Sequence, residues 1–346
     1  MMDDRATITA AAAPGFAGAV EARALGKTFV MRTPWTDRLL RRTLPWRVHA
    51  VEDVSFTIAR GRTFALVGES GCGKSTLARL MVGLETPTHG SAWLDGVDVQ
   101  ATLEGPREVA QALRRRMQMI FQDPYASLNP RWRVADIVAE PLLEQGLIEP
   151  AQASERVAAL LASVGLDGID VRKFPHQFSG GQRQRISIAR AIATGPEFLV
   201  CDEPTSALDV SVQAQVLNLM ADLQRERALT CLFISHNLVV VRYVADDVGV
   251  MYLGRLVELA PQAELFAAPR HPYTRMLLAA VPDLLSRDRK RAPVLGEMPN
   301  PLAPPPGCAF HPRCPHANER CRFERPALRP SGAVQVACHA VEEGRI

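Results

Sequence analysis

Apolar positions along the chain follow three rhythms. Val51–Ile58 and Ser91–Val99 alternate apolar with polar residues, which predicts half-buried strands, the second interrupted by Asp95-Gly96 as a turn. Thr63–Val67, Phe198–Cys201 and Leu229–Ser235 are continuous apolar runs, the pattern of parallel strands covered on both faces. Ser75–Leu84, Ala153–Gly165 and Ser211–Arg227 read as helices. In the second of these Val157, Leu160, Leu161 and Val164 share one face, and Gly165 sits where a C-cap is needed. Val248–Leu259 predicts a closing strand pair around Gly254. Beyond about Leu265 the periodicity fades and proline becomes frequent, so residues 266–346 are expected to form a small, loop-rich accessory region. Residues 1–20 are Ala-rich and polar, the character of a disordered tail.

Composition narrows this picture. The chain has 346 residues, enough for one large domain with an appendage or for two domains. Hydrophobic residues make up 47%, which supplies a full core and excludes global disorder. The net charge of +3 is too mild to argue for nucleic acid. No apolar run approaches the roughly 18–20 residues that cross a bilayer, and no signal-peptide pattern opens the chain. The protein is thus expected in the cytosol or held at a membrane through a partner. The basic runs Arg114–Arg116 and Arg287–Arg291 read as solvated faces.

The chemistry begins where strand, Gly-rich loop and helix follow one another. Gly68-Glu69-Ser70-Gly71-Cys72-Gly73-Lys74-Ser75 fits G-x-x-x-x-G-K-[ST], followed by Thr76. Such glycines let backbone N–H groups point at phosphate oxygens, and the helix behind adds its positive end. Lys74 would reach the β- and γ-phosphates and Ser75 would ligate Mg²⁺. Phe198–Glu203 is an apolar strand ending in two carboxylates: Asp202 suits Mg²⁺, and Glu203 suits the polarising of an attacking water. Gln122 and His236 each close another apolar stretch, placed to sense the metal and the γ-phosphate.

One further segment, Phe178-Ser179-Gly180-Gly181-Gln182, lies between the phosphate loop and the acidic strand end. Together with Ser206–Asp209 after the carboxylates, the set resembles the ATP-binding cassette family of transport ATPases. In order it supplies a Walker A loop (Gly68–Ser75), a Q-loop (Gln122), the family signature (Ser179–Gln182), a Walker B strand (Phe198–Asp202), the catalytic Glu203, a D-loop ending at Asp209 and the switch His236. The signature opens with Phe178 where the family usually has Leu, and Asn237 follows His236 where Asp is common. The resemblance implies an α/β P-loop NTPase fold over residues 21–265, a RecA-like core with antiparallel β and α-helical subdomains. It implies ATP and Mg²⁺ as ligands, and Phe29 as the aromatic that stacks on adenine. It also implies that Ser179 completes the ATP site of a second cassette, so that two ATP molecules join two cassettes head to tail.

The tail narrows the resemblance. His271–Pro282, Gly296–Pro301, Pro306–Pro315 and Ala337–His339 are similar to the C-terminal extension of oligopeptide and dipeptide importer ATPases. This implies a peripheral subunit on the cytoplasmic side of the cell membrane. Its partners would be two transmembrane permease subunits, an extracytoplasmic substrate-binding protein and a second cassette, a paralogue rather than a copy, with no nucleic acid. The segment from Gln122 to about Phe178 would dock on the permeases. Glutathione or metal chelates are alternative cargoes. A soluble cassette acting on DNA or ribosomes is the competing class; it usually carries long coiled coils or two cassettes in one chain, and neither is seen here.

Seven cysteines are spread unevenly, with Cys308, Cys314, Cys321 and Cys338 crowded into the tail. A reducing compartment favours metal ligation over disulfides. The spacing lacks a C-x-x-C pair, so three readings stand: a [4Fe–4S] cluster, a zinc site with nearby histidines, and free thiols packed as small hydrophobes.

Overall fold

The computed structural model describes residues 19–31, 46–280 and 296–346. Most of the expected N-terminal tail and the run Arg287–Arg291 lie outside the described residues.

Two sheets organise the chain. The smaller has strand order β2-β1-β4-β5, from β1 (Val20–Met31), β2 (Trp46–Ile58), β4 (His89–Leu94) and β5 (Val97–Asp98), all antiparallel. The turn between β4 and β5 falls at Asp95 and Gly96, both at positive φ, as the sequence predicts. The larger sheet runs β11-β12-β10-β9-β3-β8-β7-β6. Its centre is parallel: β3 (Thr63–Val67), β6 (Met117–Ile120), β7 (Phe198–Asp202), β8 (Thr230–Ile234) and β9 (Asp247–Tyr252). Every residue of β3, β7 and β8 is buried, which explains their unbroken apolar sequences.

Between the sheets, Phe56 of β2 stacks on Phe64 of β3 with ring centroids 4.6 Å apart. The helix Lys74–Met81 adds Leu77, Leu80 and Met81 to this core. Each such side chain stabilises the fold by about 1.5–3 kcal/mol on burial. A second core gathers Val157, Leu160 and Leu161 of the helix Ala153–Ser163, Ile137 and Val138 of the helix Val134–Glu144, and Ile186 of the helix Gly180–Ile192.

Two expectations change. The run Arg114–Arg116 is only partly solvated: Arg116 bridges Asp95 and Glu197, and Arg115 donates to Gln145, so it ties the helical part to the sheets. The tail also carries more regular structure than its fading periodicity predicts. The hairpin β11 (Arg329–Ser331) and β12 (Val334–Val336) continues the large sheet, with Glu258 of β10 (Arg255–Pro261) opposite Val336. Strands of three residues are too short to show alternation. The helix Pro272–Ala279 packs Tyr273 against Tyr252 and Phe310, in a third core.

Candidate functional site

The parallel order places the carboxyl ends of β3, β8, β7 and β6 side by side, where open α/β sheets present their ligand sites. The phosphate loop leaves β3 at Val67 and becomes helix at Lys74. Gly73 is the helix N-cap at φ 106°, and a Cβ there would lie 2.0 Å from the Ala50 carbonyl oxygen, so the loop needs glycine at this point. The turn between β9 and β10 braces the loop, because the Gly254 N–H donates to the Cys72 carbonyl at 2.8 Å. Lys74 is buried, and its ammonium donates to the carbonyls of Gly68 and Glu69 at 2.8 and 2.9 Å.

The end of β7 stands opposite. Ser75 Oγ donates to Asp202 Oδ1 at 3.0 Å. Burial raises the Asp202 carboxyl above its ordinary value; the Ser75 bond opposes this, and the charge of Glu203 reinforces it. Glu203 itself has φ 46°, an uncommon conformation for a residue with a Cβ, and its N–H donates to the Ile234 carbonyl at the end of β8. This turns the carboxylate out of the strand. Its Oε2 lies 3.0 Å from His236 Nδ1 and accepts from Gln122 Nε2 at 3.4 Å. Three residues from the ends of three strands thus meet at one oxygen.

A cavity of about 840 Å³ opens here, lined by residues 70–76, Gln122, Glu203 and His236. It continues along Val48 and His49 and under the tail at Pro304 and Phe310. Gly68, Glu69 and Asp202 do not line it. Phe29 sits on β1 opposite Val48, half-exposed beside the cavity, with the Lys27 ammonium 5.1 Å from its ring centre.

The signature segment does not line this cavity. Ser179 is the N-cap of the helix Gly180–Ile192: its Oγ accepts from the Gln182 N–H, while the Gln182 side chain accepts from the Ser179 N–H. A Cβ on Gly181 would lie 2.2 Å from Val212 Cγ1, so that glycine lets the helix seat against the helix Val210–Arg227. Asp209 caps the latter, accepting from the Val212 N–H at 3.1 Å. The signature helix thus packs directly on the helix that Asp209 caps. Arg183 stacks over Tyr125 at 3.9 Å, and Arg190 donates to the Ser127 carbonyl at 3.0 Å and pairs with Glu140 at 2.6 Å, tying the signature helix to the segment after Gln122.

In the tail, the Cys308 N–H donates to the Cys321 carbonyl at 2.9 Å. Burial pushes the Cys308 thiol up to about 12, and charge on Cys321, Cys314 or Cys338 would push it the same way. Cys314 and Cys338 are raised too, again first by burial. The four are neighbours, yet among the described residues no group of three or more His, Cys, Asp or Glu side chains is gathered as a metal site.

Two residues that sequence reasoning missed touch the phosphate loop directly. The Tyr273 hydroxyl accepts from the Glu69 N–H at 2.9 Å, and Arg313 grips the Glu69 carboxylate through both terminal nitrogens at 2.7 and 2.9 Å. His271-Pro-Tyr and His311-Pro-Arg were visible as motifs, but nothing in them points to residue 69.

Comparison with known proteins agrees with this geometry. The family profile described as ABC transporter matches residues 51–206, and that described as Oligopeptide/dipeptide transporter, C-terminal region, matches residues 257–321. The Di/tripeptide transport ATP-binding protein DppF of Pseudomonas aeruginosa is 53% identical over 298 residues, 86% of this chain and 91% of that protein. The Oligopeptide transport ATP-binding protein AppF of Bacillus subtilis is 48% identical over 296 residues, 84% and 89% of the two chains. Among solved structures, the dimeric post-hydrolysis state of the ATP-binding cassette MJ0796 bound to ADP and Pi superposes with a TM-score of 0.60 at 25% identity, covering 70% of this chain and 98% of that one.

Proposed function

The chain belongs to the ABC transporter family, and from that membership we propose that it is the ATP-hydrolysing subunit of an importer for dipeptides or oligopeptides. The observation that carries this reading is the meeting of Gln122, Glu203 and His236 beside the phosphate loop.

Each residue has a task in that chemistry. The N–H groups of residues 70–76 and the Lys74 ammonium hold the β- and γ-phosphates. Ser75, Asp202 and Gln122 would hold Mg²⁺, which would supply neutralisation of charge on the transferred phosphoryl group. Glu203 accepts the proton of the attacking water, and His236 orients Glu203 and contacts the γ-phosphate. Catalysis here is mostly positioning and charge neutralisation. Phe29, at the rim, takes the adenine.

The signature does not line this cavity, which fits a role on the ATP of a second cassette. Ser179 and the helix N-terminus behind it offer donors to that nucleotide. Closing two cassettes from 1:99 to 99:1 needs about 5.5 kcal/mol of differential affinity, a demand that two ATP molecules can meet. Hydrolysis then removes the joint. Subunits of this family dimerise and work with permeases; we assign the second cassette to a paralogue and cargo delivery to an extracytoplasmic binding protein. The exposed Tyr125 and Trp132, on the segment tied to the signature helix, suit docking on the permeases at the cytoplasmic face of the membrane. Among the described residues no helix is long and apolar enough to cross that membrane.

Residues 21–265 form the cassette in this reading and 266–346 the accessory region. Cys321 is buried and Cys308, Cys314 and Cys338 are half-buried, with the latter three thiols raised first by burial; these four residues are the donor set that a [4Fe–4S] cluster would take up. Such a cluster would supply a covalent clasp for the tail. Iron and acid-labile sulfide in anaerobically purified protein test this; stoichiometric zinc without sulfide would assign zinc instead.

The function is tested by the transporter purified with its permeases and second cassette. ATP hydrolysis should exceed that of the isolated chain and fall when Lys74 is replaced by Ala. Equal rates for the native and K74A complexes would overturn the reading.

A further inference from the structure

The C-terminal region reaches back to the phosphate loop through two contacts that no nucleotide motif accounts for. Tyr273, fully buried, directs its hydroxyl at the Glu69 N–H, 2.9 Å away. Arg313, whose side chain is 3% exposed, makes a two-pronged ion pair with the Glu69 carboxylate. A planar guanidinium fork on a carboxylate fixes direction as well as distance.

Both side chains pack against an aromatic cluster. Tyr252, Tyr273 and Phe310 pack with ring centroids 4.6 to 5.5 Å apart, and the Arg313 guanidinium lies 5.9 Å from both the Tyr252 and Phe310 rings. The Tyr252 hydroxyl accepts a longer bond from Arg313, at 3.5 Å. The helix that carries Tyr273 is fixed in turn. The buried Glu258 carboxylate accepts the N–H groups of Arg270 and His271 at 2.7 and 2.9 Å, and His271 Nδ1 accepts the Tyr273 N–H at 3.0 Å. Both functional groups of Glu69 are therefore held from outside the loop. Gly68 and Glu69 are also the residues whose carbonyls receive the Lys74 ammonium. What fixes Glu69 thus fixes the carbonyl pair that sets where Lys74 lies.

We propose that Arg313 and Tyr273 are positioning residues for ATP binding, acting through Glu69 to hold the first turn of the phosphate loop and the Lys74 ammonium. The accessory region is then part of the ATP site rather than an attachment to it. The inference rests on the ATP-binding reading, and K74A serves as its separate check: if native and K74A chains bind nucleotide alike, that reading fails whatever Arg313 does.

Binding of Mg·MANT-ATP to the full chain, read by fluorescence, tests the proposal. R313M should weaken binding on the order of tenfold, the size of one charged hydrogen bond, and Y273F severalfold. R313K should recover part of the loss, since an ammonium restores charge but not the fork. R313M and E69Q should not add, because each removes the same contact. In the assembled transporter, R313M should raise the KM for ATP more than it lowers kcat. Affinities within twofold of native for Y273F and R313K, or a fully additive loss in the R313M/E69Q double variant, would overturn it. If R313M does not fold, Y273F and R313K decide alone.

Discussion

Oε2 of Glu203 lies 3.0 Å from Nδ1 of His236, joining the residue that follows β7 to the second residue after β8. A carboxylate held by an imidazole keeps the orientation that proton transfer from water requires. E203Q keeps the shape and loses the base. It should lower kcat of the assembled transporter by roughly 10²–10⁴-fold while leaving MANT-ATP affinity close to native. H236A should reduce kcat in the same direction. Steady-state hydrolysis by E203Q at the native rate would refute the assignment.

Asp202 accepts from Ser75 at the proposed Mg²⁺ position. Its pKa is raised, first by burial, so it takes up a proton at higher pH than an exposed aspartate does. Only the carboxylate binds Mg²⁺, so the apparent affinity for Mg²⁺ should fall as pH drops through this raised value. D202N should weaken Mg²⁺ dependence of hydrolysis by at least about tenfold and flatten its acid limb. Magnesium titrations at several pH values, with native and variant transporter, measure both effects.

Gly181 sits where a methyl group would strike Val212. G181A should displace the signature from its seat but leave the chain's own phosphate loop untouched. MANT-ATP affinity of the isolated chain should therefore stay within about twofold of native, while hydrolysis by the assembled transporter falls on the order of tenfold or more. V212A, which removes the opposing methyl groups, should restore part of the rate in the double variant. A parallel loss of ATP affinity would place the signature on the chain's own nucleotide.

Acid should weaken the docking of the tail, and the sign follows from two groups. Burial alone would raise Glu52, but Arg255 and then Arg325 of the tail override it and hold its carboxyl at about 2 instead of 4.5. A depressed carboxylate contributes stability above pH 4.5, and that contribution is lost as pH falls toward 2. Burial lowers His271 from 6.5 to about 3. Between those values the unfolded chain binds the proton and the folded chain does not, so stability also falls as pH drops from 6.5 to 3. Urea midpoints across this range should decline with acid, with the upper part of the decline reduced in H271Q and the lower part in E52Q.

The gathering of residues 70–76 with Gln122, Glu203 and His236 was legible in the sequence because its parts are local. A phosphate loop, a strand ending in two carboxylates and a Gly-Gly helix start each need particular residues at neighbouring positions, so each leaves a readable pattern. Thr63–Val67 emerges as β3 with the predicted bounds for the same reason. The grip of the tail on Glu69 left no such pattern. Its partners are separated by 204 residues for Tyr273 and 244 for Arg313, and a tyrosine or an arginine in a proline-rich stretch is unremarked by any period. The hairpin β11–β12 escaped because three-residue strands carry no alternation. The crossing of Arg116 to Asp95 and Glu197 is likewise a long-range pairing, invisible within a run of three arginines.

The central claim, that hydrolysis at Glu203 drives peptide import, is tested most directly by uptake of a radiolabelled dipeptide into cells carrying either the native chain or E203Q at its own locus. With both proteins present at equal levels, uptake should be saturable in native cells and at background with E203Q. Uptake that persists at the native rate with E203Q would contradict the account.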